Sequence, residues 1–425
     1  MSEYSTINNI TTGFFIAVLS SLFLYLDWFG FVNYFINTLF GLLSLYLLLK
    51  SDKRVWFWFG VFVSAFWFWW VSISFKNYGF AWAIPIGILL TSIIYGLLFT
   101  LLASLAEYLS KKVFLKHEKL FHLIFKAIIL LSLSSIHPLG FDWYKPELIF
   151  TNSYLGIEKW QFAIVLMAIL LSLYTQRIYL LLLVIFAYPY GTHFEETPPV
   201  DQSIKVTNFN ITVHDKWDPN LQQSHINEVF HKIDEAIAEK RSLIILPESI
   251  FALFLNRQPR LMDGLQTRSH QISIVLGSLY MDKETPRNST YIFTNGSYSI
   301  ANKVVLVPFG EANPLPAFLG DLMNEIFFDG APDYFAASKP TDYRIGQKSY
   351  RNAICYEACS EELYEGEPET MIVISNNGWV VPSIEPTLQK ILLQYYSKKY
   401  GTTIYHAINM SPSYIIQKGE MIEIN

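Results

Sequence analysis

The sequence predicts a membrane protein in two parts, a bundle of membrane helices followed by an α/β domain. Of its 425 residues 52% are hydrophobic, a larger share than the core of an ordinary soluble protein requires. The excess lies in the first 190 residues or so, and charged residues become much more frequent afterwards. Beyond that point short apolar runs alternate with amphipathic segments, a pattern typical of α/β folds.

The first part contains a series of apolar runs that are candidates to cross a bilayer. They lie near residues 11–31, 33–49, 55–75, 80–107, 121–138, 161–175 and 178–190. The last two runs are short, and we interpret them as separate because Gln176 and Arg177 lie between them. Residues 1–190 are therefore expected to form about seven transmembrane helices.

Basic residues are concentrated in alternate connections between these runs. They follow the second run (Lys50, Lys53, Arg54), the fourth (Lys111, Lys112, Lys116, Lys119) and the sixth (Arg177). The positive-inside rule places these connections in the cytoplasm, so an odd number of spans delivers the second part to the outer side. The amino terminus has no basic region, and we expect no cleaved signal peptide.

The second part is expected to comprise a linker, residues 191–201, and a domain over residues 202–425. Its apolar runs predict strands near residues 203–210, 243–246, 272–280, 290–300, 304–307, 353–355, 371–375, 402–409 and 414–418. Helical patterns lie near residues 221–240 and 386–399. Alternating strands and helices with some hairpin-like pairs predict a mixed central sheet packed by helices.

Composition also excludes several classes of function. The net charge is −5 and the second part has no basic stripe, which argues against a nucleic-acid partner. Two cysteines cannot form a disulfide framework or a cysteine-rich zinc site, and the nine histidines show no paired spacing. Without a glycine-rich phosphate loop either, we expect neither a metal nor a cofactor.

Three stretches of the second part carry residues suited to thiol chemistry. Cys355 ends an apolar strand, Glu248 follows another, and Lys303 begins a third. A cysteine in such a context is more often a small buried hydrophobe, but a nucleophilic thiol requires a base and an oxyanion donor, and the set of three supplies both. We therefore predict Cys355 as nucleophile, Glu248 as base, and Lys303 as oxyanion donor together with the backbone amide of Tyr356.

Other residues near these stretches are open to two interpretations. Glu311 and Glu357 could orient the lysine or act as a second base, or they could be ordinary surface acids. Trp217 and Tyr356 could line an acyl pocket or belong to the core. Glu248 could instead be the N-terminal acid of a helix over residues 249–255, Lys303 a solvated strand end, and Cys355 with Cys359 a redox pair.

These motifs resemble the apolipoprotein N-acyltransferases, a family that joins a membrane bundle to an outward-facing nitrilase-type domain. The resemblance lies in LPE at 246–248, Lys303 with LVPFGE at 306–311, ICYE at 354–357 and SNNGW at 375–379. In the membrane half, WVSIS at 70–74 and Tyr78 with Gly79 resemble the third span of that family and its exit. The resemblance implies an αββα sandwich with Glu248, Lys303 and Cys355 as a catalytic triad, supported by Trp217, Glu311, Tyr356 and Glu357.

The resemblance also implies substrates and a location. The expected partners are a phospholipid acyl donor, a diacylglyceryl-modified apolipoprotein and the lipid of the membrane, with the enzyme as a monomer and without a cofactor. The expected site of action is the inner membrane of a Gram-negative bacterium, with the catalytic domain in the periplasm. The sequence departs from the family pattern at three places. Residues 377–381 read NGWVV where the family usually has DAWFG, and the usual arginines are missing near Gln394 to Lys399. The sequence also ends at Asn425 without the closing membrane helix typical of the family. We expect activity nonetheless, because all three triad positions lie upstream.

Two other functions remain open at this stage. A membrane-anchored amidase could use the same triad on small amides, although the apolar segment 312–336 suggests a lid that rests on lipid, or else packs on the membrane half. A non-enzymatic transporter or assembly factor is disfavoured because the first four spans carry no ionisable residue well inside them.

Overall fold

The computed structural model describes residues 2–113, 117–190, 199–308, 310–312 and 334–424. The chain divides into two compact units, residues 1–195 with 382–391 and residues 196–381 with 392–425. Most of the linker 191–201 and of the segment 312–336, for which a lid was predicted, lies outside the described residues.

The first unit is helical. Its α-helices are α1 (Ser2–Trp28), α2 (Tyr34–Lys50), α3 (Lys53–Phe68), α4 (Ile84–Val113), α5 (Glu118–Ser132) and α6 (Lys159–Thr175), with long 3₁₀ segments at Trp69–Tyr78 and Ile178–Ala187. Among the described residues, three helical stretches are long and apolar enough to cross a membrane, Thr6–Trp28, Lys53–Tyr78 and Ala81–Lys112. Each of the seven predicted runs overlaps a helical segment, and the number that cross the bilayer stays a prediction.

The second unit contains two β-sheets. Its strands are β1 (Ile204–Val206), β2 (Asn208–Phe209), β3 (Leu243–Ile245), β4 (Phe251–Phe254), β5 (Ser273–Asp282), β6 (Thr285–Thr294), β7 (Ser297–Asn302), β8 (Asp342–Ile345), β9 (Lys348–Ile354), β10 (Thr370–Asn376), β11 (Thr403–Asn409), β12 (Tyr414–Gln417) and β13 (Glu420–Glu423). Its helices are α7 (Val213–Lys216), α8 (Gln222–Ala238) and α9 (Pro259–Arg268), and α10 (Glu385–Tyr400) begins in the first unit.

Each sheet contains both parallel and antiparallel pairs of strands. The first has the order β1-β3-β5-β6-β7, with β4 beside β5, and the second has the order β13-β12-β11-β10-β9-β8, with β2 beside β11. In the first sheet β1, β3 and β5 are parallel, and in the second β9, β10 and β11 are parallel. The single mixed sheet predicted from the strand pattern is therefore wrong, because that pattern does not say which strands pair.

The two sheets pack face to face and helices cover their outer faces. One apolar cluster joins inward residues of both sheets, such as Ile245 and Val275 of the first and Ile354 and Ile374 of the second. A second cluster packs α8 and α9 on the other face of the first sheet. The carboxyl-terminal part of α10 is attached to the second sheet, where Gln394 Nε2 donates to the carbonyl of Gly419 at 2.9 Å. The predicted αββα sandwich after a helical membrane half is confirmed.

Several predicted elements differ in detail. The strand expected over residues 290–300 is two strands of a hairpin, β6 and β7, because Asn295 and Gly296 adopt positive φ angles of 51° and 76° and reverse the chain. Residues 304–307 form no strand, and residues 203–210 supply short strands to both sheets. The alternative of a helix over residues 249–255 is wrong, since β4 lies there.

Candidate active site

Two of the predicted site residues come from the carboxyl ends of strands in different sheets. Glu248 lies just after β3, and Cys355 directly follows β9. The end of β3 is joined to the second sheet, where the backbone N–H of Asn376, the last residue of β10, donates to Oε2 of Glu248 at 2.9 Å. The carboxyl edge of a parallel sheet is where α/β folds place ligands and reactive groups.

Cys355 begins a single 3₁₀ turn, Cys355–Cys359, with a left-handed backbone, φ 55°. A residue with a Cβ atom is disfavoured in this conformation by about 1 kcal/mol or more. The side chain of Cys355 is partly exposed, whereas Cys359 is fully buried, and the two are not joined in a disulfide. A sharp, strained turn between strand and helix presents the thiol at the strand tip.

Lys303 follows β7 and is only 1% exposed. Its Nζ lies 2.7 Å from Oε2 of Glu311 and 4.0 Å from Oε1 of Glu248. Burial opposes the charged form, but the carboxylates of Glu311 and Glu248 outweigh it, so the pKa of Lys303 is raised. The lysine is therefore a permanent ammonium, and the interpretation of Lys303 as a solvated strand end is wrong because the side chain is buried.

Glu248 is held by two hydrogen bonds in a nearly closed environment. It is 7% exposed, and besides the amide of Asn376 it accepts from Asn288 Nδ2 at 2.8 Å. Burial raises the pKa of Glu248 above the ordinary glutamate value, while the ammonium of Lys303 opposes that rise. A carboxylate with a raised proton affinity is suited to accept a proton from a thiol.

Glu311 and Glu357 have distinct surroundings. Glu311 pairs with Lys303 and also accepts from the amide of Val307 at 2.9 Å. Glu357 is fully buried, and its carboxylate accepts from the amides of Val304, Val305 and Ile354 at 2.6, 3.0 and 2.7 Å. It thereby ties the residue before Cys355 to the residues after Lys303. Neither Glu311 nor Glu357 is an ordinary surface acid.

The two residues proposed to line an acyl pocket differ in exposure. Trp217 caps α7 with 54% of its surface exposed, while Tyr356 is 3% exposed and lies in the turn that follows Cys355. Their proposed contact with an acyl chain stays a prediction. Among the described residues no group of three or more His, Cys, Asp and Glu side chains is arranged to hold a metal ion.

Sequence reasoning missed two residues of the site. Asn288, on β6, donates from Nδ2 to both Glu248 Oε1 and Glu311 Oε1, each at 2.8 Å. Lys216, the last residue of α7, has only 7% of its surface exposed. A signal existed for Lys216, since it lies three residues after Val213 on one face of a short helix. No sequence signal distinguishes Asn288.

The fold defines the protein as a chain with a helical membrane half and a two-sheet α/β domain. Residues 7–190 match the model of the apolipoprotein N-acyltransferase integral membrane domain. An apolipoprotein N-acyltransferase of Wolinella succinogenes is 39% identical over 94% of this chain and 94% of its own length. One from Campylobacter jejuni is 35% identical over 98% of this chain and 91% of its own. The chain belongs to the apolipoprotein N-acyltransferase family.

Two solved structures match about half of this chain at low identity. A CN-hydrolase superfamily protein of Xanthomonas campestris is 16% identical with a TM-score of 0.39, covering 52% of this chain and 85% of its own. An amidase of Nesterenkonia sp. is 12% identical with a TM-score of 0.39, covering 52% and 86%.

Proposed function

We propose that the chain is a phospholipid-dependent apolipoprotein N-acyltransferase that works through a thioester on Cys355. The observation that carries the proposal is the buried Lys303, which lies between Glu248 and Glu311. The residues directly after Lys303 are tied through Glu357 to the residue before Cys355. A fixed ammonium beside a thiol and a carboxylate of raised proton affinity is the set that acyl transfer requires.

In the first half-reaction the thiol of Cys355 loses its proton to Glu248 and attacks an ester carbonyl of a phospholipid. Lys303 and the amide of Tyr356 stabilise the oxyanion, the ester C–O bond breaks, and Glu248 returns the proton to the departing lysophospholipid oxygen. The acyl group is then held as a thioester.

In the second half-reaction the free α-amine of a diacylglyceryl-cysteine attacks the thioester carbonyl. The C–S bond breaks, an amide forms, and the proton released by the amine restores the thiol through Glu248. Both proposed substrates are anchored in lipid, which gives a reason for one chain to carry a membrane part and a catalytic domain.

The first half-reaction is tested by intact-protein mass spectrometry of the purified full chain after incubation with phospholipid. We expect the mass of one acyl group to be added to the wild type and removed by hydroxylamine. The Cys355→Ala variant should gain no acyl group, while the control Cys359→Ala should still be acylated. Hydrolysis of small amides without any phospholipid adduct would instead favour a membrane-anchored amidase.

The second half-reaction is tested by adding a diacylglyceryl-modified peptide to the isolated acyl-enzyme. The enzyme should lose the acyl mass as the peptide gains it. A matched peptide with an acetylated amine should leave the thioester intact, because it has no nucleophile to offer.

We also propose that the α/β domain faces the periplasm from the inner membrane of a Gram-negative bacterium. The support is the excess of lysine and arginine in alternate connections of the membrane half. A cysteine introduced at the exposed Asn220 should react with a membrane-impermeant maleimide in intact spheroplasts. One introduced at the exposed Lys53 should react only after lysis.

A further inference from the structure

Lys216 is a buried cation for which neither the sequence nor the proposed reaction supplies a role. It is 7% exposed, and its Nζ has no hydrogen-bond partner among the described residues. An ammonium removed from water without a partner costs several kcal/mol, so its presence requires an explanation. The acidic neighbour on its own helix, Asp215, is half exposed.

The charges of the site provide that explanation. Glu248 and Glu311 can carry two negative charges in a nearly closed space, and Lys303 supplies one positive charge. Glu357 is neutralised differently, by three backbone N–H groups. One carboxylate therefore lacks a balancing cation. Burial lowers the pKa of Lys216, and the charge of Glu248 opposes that change.

The helix that carries Lys216 is fixed to residues 376–378, and the first of these residues is hydrogen-bonded to Glu248. The N–H of Ile211, just before α7, donates to Asn409 Oδ1 at 2.9 Å, and Asn409 Nδ2 donates to Asn376 Oδ1 at 2.8 Å. Asn376 in turn donates its backbone N–H to Glu248. A Cβ atom on Gly378 would lie 3.2 Å from Val213 Cγ2, so α7 packs directly on this segment.

We infer that Lys216 is a positioning residue that supplies the second positive charge of the site and keeps Glu248 in the carboxylate form. The inference rests on the proposed role of Glu248 as base. Glu248 is faced by Lys303 and Glu311, by the carboxamide of Asn288 and by the amide of Asn376. Burial raises the pKa of Glu248, and the charges of Lys303 and of Lys216 on α7 oppose that rise. Burial lowers the pKa of Lys216 to about 8, so Lys216 remains mostly charged at neutral pH.

The sign of the effect follows from this charge. Removal of the ammonium disfavours the Glu248 carboxylate, so a larger fraction of Glu248 is protonated at acid pH and fewer molecules have an active base. At alkaline pH Glu248 is ionised in both proteins, and Lys216 itself loses its charge above pH about 8. Without this charge, the fraction of molecules with an active base should therefore fall only at acid pH.

The test measures alkylation of Cys355 by iodoacetamide against pH, resolved from Cys359 by peptide mass spectrometry, in the full chain in detergent. For Lys216→Met we expect the rate at acid pH to fall about threefold or more, and to stay within about twofold of the wild type at alkaline pH. Lys216→Gln should show the same loss as Lys216→Met, whereas Lys216→Arg, which keeps the charge, should retain the wild-type alkylation rate at acid pH. Lys232→Met, which changes a lysine paired with Glu235, is the control.

A merely structural role predicts a different set of results. Replacing an unpartnered buried ammonium with methionine of similar volume should raise the thermal midpoint, whereas loss of a structural contact should lower it. A Lys216→Met profile that superimposes on the wild type, or falls equally at every pH, overturns the inference. Alkylation needs no phospholipid, so a failed acylation assay with a shifted alkylation profile would overturn only the proposed function.

Discussion

The Nζ of Lys303 lies 2.7 Å from Oε2 of Glu311, closer than it lies to the carboxylate of Glu248 at 4.0 Å. Glu311 is thus the closer ion-pair partner of the lysine, which agrees with the proposed role of Glu248 as base. The carboxamide of Asn288 donates to both carboxylates and thereby bridges them. The sequence had left open whether Glu311 orients the lysine, acts as a second base or is a surface acid.

The two glutamates should therefore differ in their kinetic effects. Glu248→Gln removes the base and should lower the rate of thioester formation by about 100-fold to 10,000-fold. Glu311→Gln keeps the base but loosens Lys303, and should cost about 10-fold to 100-fold through weaker oxyanion stabilisation. Single-turnover acylation by phospholipid measures both. Equal losses for the two variants would contradict the separate roles.

The raised pKa of Glu248 predicts the pH dependence of the same step. Because the protonated acid cannot accept the thiol proton, thioester formation should be slow at low pH and rise as Glu248 ionises. The midpoint should lie above the ordinary glutamate value, since burial favours the neutral form. Asn288→Ala removes a donor to the carboxylate and should move the midpoint further toward alkaline pH, whereas a midpoint at or below the ordinary value would refute the assignment.

Glu357 should affect stability and activity together. In Glu357→Gln an amide NH₂ replaces one carboxylate oxygen, so at least one of the three backbone N–H groups loses its acceptor, at about 1.5–3 kcal/mol. Thermal unfolding in detergent should show a lower midpoint, and Cys355 alkylation should slow because its turn is no longer tied to Val304 and Val305. The exposed Glu362→Gln is the control.

The pH dependence of this stability has a defined sign. Burial raises the pKa of Glu357 from 4.5 to about 7, so the folded chain binds its proton more tightly than the unfolded chain does. The contribution of Glu357 is greatest below pH 4.5 and declines as pH rises to about 7. The wild type should show this decline and Glu357→Gln should lack it. Equal pH slopes in the two proteins would argue against the raised pKa.

Gly277 on β5 should tolerate no side chain, because the backbone that carries Glu248 runs directly over it. A Cβ atom there would lie 2.6 Å from Glu248 Cα and 2.7 Å from the amide nitrogen of Ser249. Gly277→Ala should cost about 1–3 kcal/mol of unfolding free energy and displace the base, which lowers acylation. Gly264→Ala, in α9 beside the ring of Phe230, is the matched control and should remain near wild type. Wild-type acylation by Gly277→Ala would show that the contact does not position Glu248.

The left-handed backbone of Cys355 predicts a difference between two inactive variants. Glycine adopts φ 55° without the clash of a Cβ atom, whereas alanine retains it. Relief of the clash favours Cys355→Gly, while the larger loss of backbone entropy by glycine on folding offsets part of that gain. Cys355→Gly should therefore be at least as stable as Cys355→Ala and at most about 1 kcal/mol more stable. Denaturant unfolding of the pair measures this. A clearly less stable glycine variant would show that the turn is not strained.

The sequence by itself determined the division into a helical membrane half and an α/β domain, the family, and the residues proposed as the triad. These features depend on local signals, namely apolar run lengths, strand periodicity and short motifs around Glu248, Lys303 and Cys355. The tertiary structure decided that the strands form two sheets, that Glu311 rather than Glu248 is the close partner of Lys303, and that Glu357 ties two loops together. It also revealed Asn288 and Lys216. The reason is physical: these relationships join residues far apart in the chain, such as Glu248 and Asn376 at a separation of 128, and burial and charge balance exist only once the chain has folded.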